Sequence, residues 1–281
     1  MTIAGHTIGE LDVSAHIERR NMKRCAVRGG LFGVKFSDLA RALAGALIVA
    51  ASPASGQEQK AEPGLQDCAQ DDIASFAIRA CTALISSAKY SAEDRAKIFT
   101  WRGKAWMTED DPAAAAADYT SALKIDPLNF IALKDRALAY TKLGEHSKAV
   151  EDWSRLIANE PKNDQYYLDR GTSRLAAGQN DDALADFDKS LEINPPGVDA
   201  YIGRAAVFDS LGDQAQARKE FERAIAVKPD YLPIYWERAV MAERWGEQKS
   251  AIKDYEMVLK INGVYSHARK ALRRLGIEHP P

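Results

Sequence analysis

The sequence predicts an all-α fold: an α-solenoid of stacked helix–turn–helix units closed by a C-terminal capping helix. Three observations carry that expectation. Residues 96–265 divide into five copies of one 34-residue unit, starting at Ala96, Phe130, Asp164, Val198 and Leu232. In every copy position 8 is small, position 20 is alanine and position 24 is aromatic, spacings that place side chains on single helix faces. Turn residues punctuate the halves, with glycine at position 15 in copies two to five and proline at position 32 in copies one to four. Self-similarity at this period is the signature of an array in which each unit covers its neighbour's apolar face.

The first segment, residues 1–56, differs from the array. Lys23, Arg24, Arg28, Lys35 and Arg41 make a basic leader, Leu43 to Ala51 is a short apolar core, and Ala54 and Gly56 stand where a cleavage site wants small residues. That is the layout of a secretory signal peptide. The apolar run is about half of the roughly 20 residues that a membrane-spanning helix needs. An uncleaved anchor and a disordered tail are the alternatives. Residues 1–21 lack leader character, so Met22 fits a start better than Met1. The expected location is exported, periplasmic or secreted, with no membrane span after cleavage.

The whole chain has 281 residues, 46% hydrophobic and 28% charged, with a net charge of −2. Residues 57–281 keep 31 basic and 36 acidic residues, a net −5. This mildly acidic balance, without a basic stripe, excludes nucleic acid as an expected partner. The same segment keeps two cysteines, Cys68 and Cys81. An even pair in an exported chain suggests a disulfide.

Next comes residues 57–95, a worn helix pair, and then the copies at 96–129, 130–163, 164–197, 198–231 and 232–265. Position 8 holds Gly103, Ala137, Gly171, Ala205 and Ala239; position 24 holds Tyr119, Trp153, Phe187, Phe221 and Tyr255. Small residues at 8 and 20 let two helices approach, and the ring at 24 fills the space beside them. Asp111 before Pro112 reads as an N-cap followed by proline at the first helical position. Residues 266–281 hold Ala268, Ala271, Leu272 and Leu275 at helical spacing, a lid for the last pair.

This pattern resembles the tetratricopeptide repeat. The cysteine segment also resembles small exported bacterial proteins of that family that carry a cysteine pair before the repeats. With Ala77 set at position 20, Cys81 falls at 24 and Cys68 at 11, places that face each other in the family's helix pairs. The resemblance therefore implies a structural Cys68–Cys81 disulfide. Two cysteines with no histidine near are too few for a metal site, and a redox pair is more often C-x-x-C.

Position 7 departs from the family's pattern. Usually apolar, it is Arg102, Arg136, Arg170, Arg204 and Arg238, and position 23 is Asp118, Asp152, Asp186, Glu220 and Asp254. An acid for every arginine predicts a ladder of ion pairs between helices rather than an anion-binding stripe.

No catalytic set is legible. His146, His267 and His279 are scattered over a turn, the terminal helix and the tail, and no phosphate loop, nucleophile elbow or zinc motif occurs. No enzyme, no metal and no cofactor are expected.

The resemblance implies a protein-interaction module that binds a peptide segment or helix in a concave groove. Its lining carries over to Lys97, Thr100, Lys104 and Met107 in copy one and to Lys134, Leu138, Thr141 and Lys142 in copy two. Leu168, Thr172 and Leu175 follow in copy three, Ile202 in copy four and Trp236 in copy five. The groove would begin basic, pass an apolar middle and end mixed or acidic, which would orient an extended segment. The family's clamp for chaperone C-termini is absent: its places hold Thr100, Lys104, Asp135, Gln165 and Asp169. The alternative is an assembly subunit that uses its convex face or its ends. Either way the expected partner is another protein.

Overall fold

A computed structural model describes residues 64–69, 73–87 and 89–278, which belong to one compact unit. Residues 1–56, where a leader is expected, and His279 lie outside the described residues. Within them there are thirteen helices and no strand. A short N-terminal pair, α1 (Leu65–Cys68) and α2 (Ala74–Ile85), precedes five full pairs. These are α3 (Ala92–Thr108) with α4 (Pro112–Ile125), α5 (Phe130–Lys142) with α6 (His146–Asn159), and α7 (Asp164–Ala176) with α8 (Asn180–Ile193). They continue with α9 (Val198–Ser210) and α10 (Gln214–Val227), then α11 (Leu232–Arg244) and α12 (Gln248–Ile261). Helix α13 (Ser266–Arg274) follows. Each helix packs on the next, and the first helices of neighbouring pairs also touch, α3 on α5, α7 on α9 and α9 on α11.

Local chemistry sets the helix ends. Side-chain oxygens of Ser91, Asp111, Asn129 and Asp213 accept from the backbone N–H three residues on, at 2.9–3.1 Å, which satisfies a donor the helix leaves open. The turn inside each pair needs one left-handed residue. Gly144, Gly178, Gly212 and Gly246 supply it, and Asp110 does so in the first pair at φ 62°.

The core is the ring row. Tyr119, Trp153, Phe187, Phe221 and Tyr255 are 0–1% exposed, each wedged beside a position-8 residue of its own pair. The fit is tight: a Cβ added at Gly103 would stand 2.6 Å from the Tyr119 ring. The alanines at position 20 are fully buried and allow the helices to close. At one end α13 buries Ala268, Ala271 and Leu272 in the core shared with α11 and α12. At the other, Cys68 and Cys81 are joined, with Cα atoms 4.8 Å apart, in a small core with Leu84 and Ile98.

Candidate functional site

The positions singled out in the sequence fall into an internal ladder and an outer face. The ladder lies between helices. Arg102, Arg136, Arg170 and Arg238 each make a two-pronged contact to Asp118, Asp152, Asp186 and Asp254, with every bond at 2.7–2.9 Å. The acids are buried, so each is stabilised by a planar donor fork of matching shape. The hydrogen bonds to Asp254 hold the Arg238 guanidinium above its ordinary pKa. Copy four differs. Glu220 is one methylene longer and takes only Nη2 of Arg204, at 3.0 Å, plus a contact from Arg223. Its Oε2 and the Nε of Arg204 are buried without hydrogen-bond partners.

The sequence reading missed the third arm of these arginines. Nη1 reaches back to the preceding pair: Arg102 to Thr82 at 2.9 Å, Arg136 to Thr120 at 3.1 Å, Arg170 to Ser154 at 3.0 Å and Arg204 to Asp188 at 2.9 Å. The signal was present as a hydroxyl or carboxylate at position 25 in each copy.

The outer face is made by the first helices. Lys104 and Lys134 are exposed on it, and both act electrostatically on Asp135. Lys134 also acts on Asp169, and so does Asp199 of the next copy, which makes the face electrically continuous from copy one to copy four. Leu138, Leu168, Leu175, Ile202 and Trp236 are half-buried along it. Met107 packs into the core shared by α4, α5 and α6. The remaining predicted positions have local partners. Lys97 pairs with Glu93 at 2.7 Å and Lys142 with Asp110 at 2.6 Å. The hydroxyls of Thr141 and Thr172 donate to carbonyls one turn back, at 3.0 and 2.9 Å. Thr100 is only 5% exposed, donates to the Ala96 carbonyl and lies beneath the surface.

Position 6 gives this face its unusual electrostatics. It carries Asp135, Asp169 and Glu237, with Gly203 in copy four. The ring at position 24 of the preceding copy lies under it: a Cβ at Gly203 would meet the Phe187 ring at 2.6 Å, and Asp135 acts on Tyr119. Burial raises the pKa of all three acids, to about 7 for Asp169 and Glu237. Asp169 accepts one hydrogen bond, from the Gln165 amide at 3.0 Å. Asp135 and Glu237 have no hydrogen bond or ion pair among the described residues, and Oδ2 of Asp135 is a buried acceptor without a partner. Where the face ends, Trp236 packs at 5.3 Å on Tyr255, and at 5.4 and 6.2 Å on Tyr265 and His267.

Among the described residues no group of three or more His, Cys, Asp or Glu is placed to hold a metal, and no helix is long and apolar enough to cross a membrane. Residues 102–166, 134–198 and 168–231 match the family profile described as tetratricopeptide repeat. No curated protein sequence matches the chain. Solved structures do. A thermophilic tetratricopeptide-repeat protein of Thermus thermophilus has TM-score 0.54 and 21% identity, over 64% of this chain and 98% of its own. MamA of Desulfovibrio magneticus has TM-score 0.53 and 16% identity, over 59% and 91%. PilW, described as a type IV pilus biogenesis factor, has TM-score 0.51 and 23% identity, over 63% and 86%.

Proposed function

Residues 102–231 carry tetratricopeptide repeats, and on that premise we propose that the chain is a non-enzymatic interaction module of the bacterial cell envelope that binds a peptide segment or helix along its first-helix face. The carrying observation is the continuity of that face. Lys104, Asp135, Lys134, Asp169 and Asp199 form one chain of electrostatic neighbours across four copies, beside half-buried Leu138, Leu168 and Ile202. A surface that is part apolar and part charged, built on rigid helices, suits a segment that must be gripped and oriented. The basic end at Lys104 and Lys134 favours the acidic part of the segment. The assembly reading draws on Leu128 and Val264, 72% and 79% exposed in turns between pairs.

Replacing Lys104, Lys134 and Lys142 together by Glu separates the two. Affinity capture from envelope extracts should lose its specific partners with the variant. Capture unchanged by the triple substitution would sink the groove reading and favour the assembly one. The export part rests on the leader pattern and on a buried disulfide. Intact-mass measurement on protein from its native cells should find an N-terminus near Gln57 and a two-dalton gain on reduction. A retained leader with free thiols would refute export.

A further inference from the structure

We propose that the face of α7, α9 and α11 takes a dibasic stretch of the bound segment, with one lysine or arginine on Asp169 and a second on Glu237. The inference rests on the groove reading and adds the chemistry of the occupant.

Charge complementarity supports it first. Nearly every other carboxylate on or beneath this part of the molecule already has a cation or donor. The ladder acids have their arginines. Asp209 has Arg244 at 2.7 Å and the Trp245 indole at 2.6 Å. Glu243 has Arg274 at 2.7 Å and the Tyr255 hydroxyl. Asp199 accepts from the Tyr231 hydroxyl at 2.9 Å. Asp169 and Glu237 are the exceptions: one has a single amide donor, and the other has no hydrogen bond or ion pair among the described residues. Lys134 acts on Asp169 and Arg244 on Glu237 from a distance, without an ion pair to either. A carboxylate kept half out of water without a directly bonded cation costs the fold free energy that an arriving cation would return.

Shape supports it next. Between these acids, position 6 is Gly203 and position 9 is Ala206, so the middle helix places neither a carboxylate nor a long side chain there. Bulk is excluded at Gly203 by the Phe187 ring 2.6 Å from where a Cβ would stand. Half-buried Ile202, Ala206 and Trp236 offer apolar surface for the stems of long side chains. Those stems lie on apolar surface while their heads reach the carboxylates.

Spacing then sets the separation of the two basic residues. Asp169 and Glu237 stand two copies apart on first helices that touch, and helices in contact lie about 10 Å apart. Roughly 20 Å of extended chain is about six residues at ~3.3 Å each. A single small cation cannot bridge that gap, whereas two basic residues about six apart in one segment can.

The test uses the chain from residue 57 onward and three labelled twelve-residue peptides of Ser, Ala and Leu. They carry Lys at positions 3 and 9, Gln at both, or Glu at both. Binding is read by fluorescence anisotropy at pH 8 and low salt. The Lys peptide should bind at least about tenfold more tightly than the Gln peptide. Asp169→Asn and Glu237→Gln, with unchanged helical circular dichroism, should each remove most of that advantage. Equal binding of Lys and Gln peptides, or an advantage untouched by both substitutions, would overturn the proposal. If the Glu peptide alone binds, and loses affinity on Lys104→Glu with Lys134→Glu, the groove reading stands and the dibasic occupant falls. No binding by any of the three removes the dibasic proposal, and partner capture then decides the groove reading separately.

Discussion

A single methylene distinguishes the fourth rung of the ladder from the other four. Aspartate at position 23 meets the arginine fork with both oxygens, whereas Glu220 overshoots, leaving Oε2 and the Arg204 Nε buried and unbonded. Unmade bonds of buried polar atoms cost about 1–3 kcal/mol each. Glu220→Asp should therefore restore the two-pronged contact and stabilise the protein by about 1 kcal/mol, measured by urea unfolding. A loss of stability would mean that the contacts from Arg223 and Asp188 compensate fully. The sequence names Asp135 and Asp169 only as occupants of the absent clamp's places, and adjacency explains why their burial, and Glu237 with them, was not legible. In Asp135–Arg136, Asp169–Arg170 and Glu237–Arg238 the acid stands directly before a ladder arginine. Successive residues on a helix point about 100° apart, so the arginine turns inward to position 23 and leaves the acid on the other face without it.

At the scale of the helix pair, the sequence made most features legible because they repeat. Period, small residues, rings and the arginine–acid pairing could be compared five times over. The N-terminal pair, present once, was legible only through the family resemblance, and α1 is just four residues long. So short a helix has no stability of its own. The disulfide across 13 residues ties it to α2. In the chain-entropy model, closing a loop of this size is worth about 3 kcal/mol. Replacing both cysteines by Ser should release this pair, seen as faster amide exchange in residues 74–85, while α5 to α12 keep their protection. Uniform loss of protection along the array would instead mark the disulfide as a support of the whole stack. Thr100 shows the opposite limit: position alone assigns it to the face, but a short side chain bonded to its own helix lies below the surface that longer neighbours make.

For the whole molecule, the face carries a pH signature. In the folded state Asp169 and Glu237 have their pKa values raised to about 7, chiefly by burial, with Lys134 and Arg244 opposing and Asp199 adding to the shift at Asp169. In the unfolded chain they ionise near pH 4. Between about pH 4 and 7 the folded state therefore holds more protons than the unfolded one, and their contribution to stability falls as pH rises through that window. Asp169→Asn with Glu237→Gln should raise the unfolding midpoint at pH 8 and leave it nearly unchanged at pH 4. A gap between variant and parent that does not vary with pH would show that these acids are not held out of water. A stability cost placed on an outer face is what a binding surface carries and a purely structural face has no reason to keep.

The backward-reaching third arm of Arg102, Arg136, Arg170 and Arg204 gives the stack a direction. Arg136 needs Thr120 before it, Arg170 needs Ser154 and Arg204 needs Asp188. Peeling a pair from the C-terminal end leaves only a small hydroxyl or an exposed carboxylate facing water. Peeling one from the N-terminal end strips a part-buried guanidinium of one of its acceptors. The array thus unzips at unequal cost from its two ends, and the pair locked by Cys68–Cys81, whose Thr82 answers Arg102, sits at the end where fraying would do more harm.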